Sequence, residues 1–519
     1  MLQVDALKIL KAGRNVYLTG AAGAGKTYVI NQYIDYLKDH KINPSITAST
    51  GIAATHIGGM TIHSWSGIGI KDDLTDWDID GMEQKQYLVK RLTNASVLII
   101  DEVSMLAPNT LDMVNQVCKA LRRSQEAFGG LQVVLSGDFF QLPPITRGVR
   151  SGEEEFANSS RAWQEADIRT CYITEQYRQG KDPITEILND VRDGSITSKS
   201  MKLLKGRIGA DFNKERKESN IEPIRLYTHN TNVDERNQEE LTKLGGEQHT
   251  FEMTSKGNKR IVETLKKGLL APETLILKKH AKVMFIKNNF EAGYVNGTLG
   301  EVTDFEFGRP VVHTVDGEEI VVNTEDWMVE DGGKSLASVT QVPLRLAWAI
   351  TVHKSQGMSL DAAEIDLSKA FAPGQGYVAL SRLRSLSGLV LLEEIGSSAL
   401  QVHPYVTNFD QWLRKDSHKW EHVIARFDDE AMQKMYDAHI KDCGGSLESL
   451  TDKRTRAKSK GETIDEDKPR SNFIEKAREK YPNAYKPWPK LEEKKLAEMF
   501  EEGKSMEDLS EEFGRGVGG

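Results

Sequence analysis

Residues 20–27, GAAGAGKT, carry the pattern G-x-x-x-x-G-K-[ST]. A glycine-rich turn closing on Lys and Thr cradles phosphate when a strand feeds it and a helix leaves it. Its glycines let backbone N–H groups turn inward, toward anionic oxygens at the positive end of a helix. Lys26 then sets its ammonium on β- and γ-phosphate oxygens, and Thr27 offers a hydroxyl to Mg²⁺. The matching stretch is VLIIDEVS (97–104), an apolar run ending in two carboxylates. Asp101 is suited to holding Mg²⁺ directly or through water, and Glu102 to polarising the attacking water as general base. The chemistry implied is hydrolysis of a nucleoside triphosphate.

Further stretches suit a polyanionic partner. TASTGIAATHIGGMTIHSWSGIG (47–69) mixes glycine, hydroxyls and histidines, so a phosphodiester backbone can approach the main chain closely. Trp65 within it is suited to stack on a base. AWAITVHKSQGMSL (347–360) buries an apolar run and ends in Thr351, His353, Lys354, Ser355 and Gln356, a polar cluster suited to phosphate. Arg178 in TEQYRQ, and Arg382 and Arg384 in GYVALSRLRS, are the kind of cation that stabilises a transferring phosphoryl group. GDFFQLPPI (137–145) follows an apolar strand with Asp138, Phe139, Phe140 and Gln141, then stiffens at Pro143-Pro144. Gln141 is suited to bond the attacking water or the γ-phosphate. For the two phenylalanines, packing under a sheet and stacking on a base both fit.

The elements that must position these groups read as alternating strands and helices, which implies parallel sheets covered on both faces. NVYLTG (15–20), SVLIID (96–101) and LQVVLSG (131–137) are buried strands of a first sheet; EPIRLYT (222–228), AAEIDL (362–367) and LSGLVLLEE (386–394) belong to a second. Residues 69–92 are acidic and then basic and read as an insertion. At about 278–341 the texture changes to short strands, with Asp316-Gly317 between two β-branched runs as a hairpin signal, and implies a small antiparallel barrel. Lysines and arginines cluster over 256–287, a run that alone reads as a solvated helix face. Residues from about 440 to 475 are charged and poor in large apolar side chains, as in a linker. The tail from 476 regains a helix–turn–helix pattern, with Ser505 as an N-cap and Asp508 three residues on.

The 519 residues are too many for one core. No run of about 18 apolar residues exists and no secretory leader opens the chain, so a cytoplasmic, nucleoid-associated protein of bacterial or phage type is expected, away from membranes. Three cysteines without a CxxC pair imply reduced thiols and no structural zinc. A net charge of −9 disfavours a general nucleic-acid coat but allows a local basic channel.

Taken in order, GAAGAGKT, TASTGIAATHIGGMTIHSWSG, DEVSM, GDFFQLPPI, YRQ, TVHKSQG and VALSR resemble the petite-integration-frequency (PIF) family of DNA helicases, in superfamily 1B beside the RecD-type enzymes. ILNDVRDGSI (187–196) is similar to that family's signature segment. The resemblance covers residues 1 to about 430. It implies an α/β fold of two RecA-like P-loop domains with an inserted SH3-like β-barrel, to which the pattern beyond the resemblance adds a helical C-terminal tail. In this sequence that gives 1–165 as domain 1A with a wedge at about 66–92, and 166–277 with 342–435 as domain 2A. Residues 278–341 are expected as domain 2B; beyond the resemblance, composition and pattern give 436–475 as a linker and 476–519 as the partial helix–turn–helix tail.

The resemblance also implies ATP and Mg²⁺ as cofactors. Nucleotide contacts fall on Gln3, Gly20, Ala22, Gly23, Ala24, Gly25, Lys26, Thr27, Tyr28 and Gly357. Gln3 takes the place of an adenine-reading glutamine. Gln141 becomes a γ-phosphate sensor, and Arg178 and Arg382 arginine fingers from the second domain. DNA contacts fall on Thr50, Gly51, His63, Trp65, Phe139, Phe140, Thr351, His353, Lys354 and Ser355. The implied activity is ATP-driven 5′→3′ movement of a monomer along single-stranded DNA, unwinding forked duplex, G-quadruplex or RNA–DNA hybrid during repair, recombination, replication or telomere-type maintenance. Two rivals fit parts of the pattern: a RecD-type subunit of a nuclease assembly, and a nucleotide-switched regulator whose tail reads DNA sequence.

Overall fold

The computed structural model describes residues 1–69, 71–141, 143–144, 156–176, 180, 182–210, 223–227, 233–289, 291–314, 317–331, 334–352, 355–367 and 373–451, with 495, 499, 512 and 513 beyond. By its contacts the chain forms one unit of residues 1–38 with 42–445 and a second of 39–41 with 446–519. The expected tail pattern at 476–519 lies almost wholly outside the described residues.

In the first unit, a six-stranded parallel sheet runs β3-β2-β4-β5-β1-β6. Its strands are β1 (Val16–Gly20), β2 (Ser45–Ala48), β3 (Met60–Thr61), β4 (Val97–Asp101), β5 (Gln132–Ser136) and β6 (Arg169–Ile173). Every residue of β1, β4 and β5 is buried, the mark of a parallel sheet covered on both faces. Parallel pairing brings the C-terminal ends of these three strands to one edge, so GAAGAGKT, DEVS and GDFFQ open side by side.

A second parallel sheet has Ile224–Tyr227 between Ala349–Thr351 and Ala363–Ile365, with Leu389–Leu391 outside the last. These are β7 (Ile224–Tyr227), β18 (Ala349–Thr351), β19 (Ala363–Ile365) and β20 (Leu389–Leu391), numbered to leave room for the antiparallel strands between them. Those strands are β8 (His249–Glu252), β9 (Thr254–Gly257), β10 (Thr274–Leu277), β11 (Lys282–Phe285), β12 (Leu299–Glu306), β13 (Arg309–Thr314), β14 (Glu319–Val321), β15 (Glu325–Asp331), β16 (Lys334–Gln341) and β17 (Leu344–Leu346). Five of them form an antiparallel sheet, β14-β13-β12-β11-β17, and three more form β15-β16-β9. The hairpin expected at Asp316-Gly317 joins β13 to β14, although Asp316 itself lies outside the described residues.

Three expected boundaries move. The 165/166 division falls short, because β6 completes the first sheet by pairing with β1 from Val16↔Arg169 to Gly20↔Ile173. Antiparallel pairing starts near residue 249 instead of 278: the basic run at 256–287, read as one helix face, folds into strands on both sides of a helix, Lys259–Gly268. The linker expected from 436 is helical at its start, within Asp429–Asp442. There Met432, His439 and Ile440 recur on one face and are buried.

Between β3 and β4 lie two helices, Asp76–Glu83 and Gln86–Asn94. Met82, Leu88 and Leu92 anchor that pair in the main core. Among the described residues no helix is long and apolar enough to cross a membrane.

Candidate nucleotide cleft

At the strand edge, Gly23 (φ +83°) and Gly25 (φ +86°) take backbone angles that L side chains rarely adopt, and the helix Lys26–Asp39 starts at once. Lys26 folds back over the loop, donating from Nζ to the carbonyls of Gly20 (2.9 Å) and Ala21 (3.3 Å). Burial lowers its pKa, against the pull of Asp138 and Glu102. Gln3 donates from its amide to the Ala24 carbonyl at 3.0 Å, which sets it on the same loop. Tyr28, one residue past Thr27, is exposed and accepts from Gln32.

β4 ends at Asp101, and Glu102 then adopts φ +52°, ψ +42°. A left-handed glutamate is strained backbone of the sort that collects at functional sites, and here it turns the carboxylate into the cleft. Burial raises the pKa of Asp101. Burial, and then the neighbouring Asp101 charge, push Glu102 up to about 7, with Lys26 and Arg382 opposing.

The far wall comes from the second sheet. Gln356 donates from Nε2 to Gln141 Oε1 (3.0 Å) and to Glu102 Oε2 (3.3 Å), tying both groups of the first sheet's edge to the segment after β18. Arg382 ends the helix Gln375–Ser381 and is 2% exposed. Its guanidinium donates to the Val378 carbonyl (3.0 Å), the Ser381 hydroxyl (2.9 Å) and, at 3.5 Å, the Ser355 carbonyl. Arg384 instead pairs with Asp361 at 2.7 Å.

These groups line one cavity of about 750 Å³, with Gly23, Lys26, Thr27, Asp101, Glu102 and Gln141 on one side and Gln356, Gly357 and Arg382 on the other. Thr27 and Asp101 supply hard oxygen donors to it, and the buried Asp101 carboxylate gains from a cation, so this pair fits Mg²⁺. Among the described residues no cluster of three or more His, Cys, Asp and Glu could hold a metal, and a two-residue Mg²⁺ site is not such a cluster.

The expected DNA contacts distribute differently. Thr50 lines the cavity and caps the helix Gly51–His56, accepting from Ala53 N–H. Gly51 lies against Gly268, where an added Cβ would come within 2.6 Å of its Cα. His63 is half-buried, and burial lowers its pKa. Trp65, 1% exposed, is a core residue, so it presents no face to a base. Phe139 is also interior: its ring meets Tyr17, Phe156 and Phe409 at centroid distances of 5.5 to 5.7 Å. Phe140 packs by Tyr377. Of the two arrangements open for these phenylalanines, the structure has the packed one. Thr351 is buried at the end of β18, and the Ser355 hydroxyl donates to the Val352 carbonyl (2.8 Å). Arg178, His353 and Lys354 lie outside the described residues.

Gln356 is the residue whose place the sequence obscured. In the sequence it reads only as part of a polar cluster suited to phosphate, whereas its side chain is in the nucleotide cleft. The available signal was Gly357 (φ +79°), which bends the chain directly after it.

Residues 3–202 match the PIF1-like helicase family. The ATP-dependent DNA helicase Pif1 of a Psychrobacter species is 42% identical over 507 residues, covering 86% of this chain and 76% of that protein. The crystal structure of Bacteroides sp Pif1 in complex with ADP-AlF4 is similar at TM-score 0.68 and 31% identity, covering 80% of this chain and 96% of the other. A Bacteroides Pif1 helicase in complex with ADP-AlF3 and ssDNA gives TM-score 0.55 at 30% identity over the same shares.

Proposed function

This chain belongs to the PIF1-like helicase family, and on that premise we propose that it is an ATP-dependent DNA helicase that moves 5′→3′ on single-stranded DNA and opens forked duplex ahead of it. The observation that carries this reading is the convergence of Lys26, Glu102 and Gln141 with Gln356 and Arg382, from opposite sides, on one cavity of nucleotide size.

In that cleft Lys26 exchanges its two carbonyl partners for β- and γ-phosphate oxygens. Glu102 takes a proton from the attacking water, which Gln141 and Gln356 orient. Arg382, with Arg178 as its proposed companion, offsets charge on the transferring phosphoryl group. Thr27 and Asp101 would hold Mg²⁺, which when bound neutralises phosphate charge. Loss of the γ-phosphate removes the group that cations of both domains share, so the cleft reopens. If the domains grip the strand alternately, each cycle moves it on; Thr50, Gly51, His353 and Lys354 are the proposed grips. The helices Asp76–Glu83 and Gln86–Asn94 hold Trp77 and Tyr87 out at 85% and 64% exposure, rings suited to meet the end of the duplex.

Two assays test the reading. Oligo-dT should stimulate ATP hydrolysis strongly, and a duplex with a 5′ single-stranded tail should open where a 3′-tailed one does not. Hydrolysis indifferent to oligo-dT would sink the motor; opening of 3′-tailed duplex alone would reverse its direction. Tailed G-quadruplex and RNA–DNA hybrid in the same format rank the preferred substrates.

A further inference from the structure

Behind the cleft lies a buried charge cluster that none of the expected site residues includes except through Phe140. Arg192, the last residue of the helix Pro183–Arg192, is 2% exposed. Its Nη1 donates to both carboxylate oxygens of Asp138 (2.9 and 2.8 Å) and to the Tyr377 hydroxyl (2.9 Å). Its Nη2 donates to the Tyr172 hydroxyl (2.9 Å) and to Asp410 (3.1 Å), and its guanidinium lies 4.0 Å from the centre of the Phe140 ring.

Each partner leads to a group in the cleft. Asp138 shapes the turn that carries Gln141: its carboxylate accepts from Phe140 N–H (3.2 Å) and its carbonyl from Gln141 N–H (2.9 Å). Tyr377 lies on the helix that ends at Arg382, five residues on. Its hydroxyl donates to Asp138 (3.1 Å) and accepts from Ala22 N–H in the phosphate loop (3.3 Å). That hydroxyl therefore uses its one proton and both lone pairs. The same helix begins at Gly374 (φ +85°), where an added Cβ would come within 2.8 Å of the Phe140 carbonyl. The turn and the helix are thus in backbone contact, and Arg192 sits behind both.

We propose that Arg192 is a positioning residue for ATP hydrolysis: through Asp138 and Tyr377 it fixes the Gln141 turn, the Arg382 helix and the phosphate loop in one register. Arg192 does not touch the nucleotide site itself. A fixed register matters because catalytic groups lose effect steeply when displaced by about 1 Å. The inference rests on the reading of the cleft as an ATPase site.

Tyr377→Phe removes one hydroxyl and keeps the ring, so it disconnects the phosphate loop with little loss of packing. It should lower the kcat of DNA-stimulated hydrolysis by about tenfold, a single bond's worth of alignment, with KM for ATP changed less than about twofold. Arg192→Met leaves Asp138 buried without its cation and should lower the melting temperature. Asp138→Asn added to Arg192→Met removes the stranded charge, so stability should recover while kcat stays about 100-fold down. Wild-type kcat in Tyr377→Phe would overturn the proposal, as would a double variant that regains kcat together with its melting temperature. A wild-type protein without DNA-stimulated hydrolysis would instead defeat the ATPase reading. If Arg192→Met does not fold, Tyr377→Phe and the double variant still decide.

Discussion

Two clusters of buried charge lie at the same sheet edge and are built on opposite rules. In the Arg192 cluster the cation meets Asp138 at 2.8 Å and Asp410 at 3.1 Å, and Arg414 closes on Asp410 at 2.7 Å. In the cleft, Lys26 donates to carbonyls, Arg382 to carbonyls and a hydroxyl, and Glu102 accepts from a glutamine amide. Opposite charges converge there, yet these bonds join them to neutral groups. The electrostatics follow: burial raises Asp101, and Glu102 rises to about 7. A cluster whose charges are paired fixes geometry, because any displacement strands a charge away from water. An incomplete one holds room for charge that arrives with a ligand, and perturbed carboxylates in a cleft mark that arrangement. The molecule keeps its alignment and its chemistry in separate clusters joined by the Gln141 turn and Tyr377.

The sharpest way to separate the two is to remove a cation from the incomplete one. Lys26→Ala should lower ATP turnover by at least about 10³-fold, roughly 4 kcal/mol of barrier, while the chain folds and binds single-stranded DNA near normally. Glu102→Gln should likewise lose hydrolysis and still bind ATP. Denaturant titration beside a DNA-binding isotherm checks both variants; an unfolded Lys26→Ala would mean that the cleft also carries the fold. The complementary change is Asp138→Asn, which exposes Arg192 to a neutral neighbour. It should lower unfolding free energy by about 3 kcal/mol, measured by denaturant titration. A loss below about 1 kcal/mol would show that the Arg192 cluster is less complete than its distances imply.

The same contrast explains what the sequence made legible. GAAGAGKT and DEVS each hold their chemistry in one contiguous run on one strand end, so strand, turn and function read together. The first parallel sheet was legible because its all-buried strands β1, β4 and β5 are near-continuous apolar runs. Gln356 was harder: its partners Gln141 and Glu102 are 215 and 254 residues away, and local spacing says nothing of which cleft wall it joins. Arg192 was harder still, since an arginine ending an amphipathic helix ordinarily faces solvent. The aromatics show the converse limit. Trp65 and Phe139 have the composition of a stacking surface, but a ring's use depends on whether another element covers it, and Phe156 and Phe409 cover Phe139. β6 escaped the expected boundary because nothing in RTCYI distinguishes the last strand of one sheet from the first of another.

The smallest expected effect tests whether the cleft is incomplete before any ligand binds. Glu102 in the nucleotide-free protein has its pKa raised from 4.5 to about 7. Below about pH 4.5 the carboxyl is protonated in both folded and unfolded chains and contributes nothing to the difference. As pH rises toward 7 the unfolded chain ionises first, so unfolding gains and this group increasingly opposes the fold; above about 7 the opposition is constant. Glu102 keeps some contact with solvent, which reduces the full effect to about 1–2 kcal/mol. Glu102→Gln cannot ionise, so it should be more stable than wild type by that amount at pH 8 and equal to it near pH 4. Denaturation midpoints of the two proteins across that range measure the difference. A gap that does not narrow toward acid pH would mean that Glu102 is already satisfied by Gln356, and that the cleft resembles the Arg192 cluster more closely than its geometry implies.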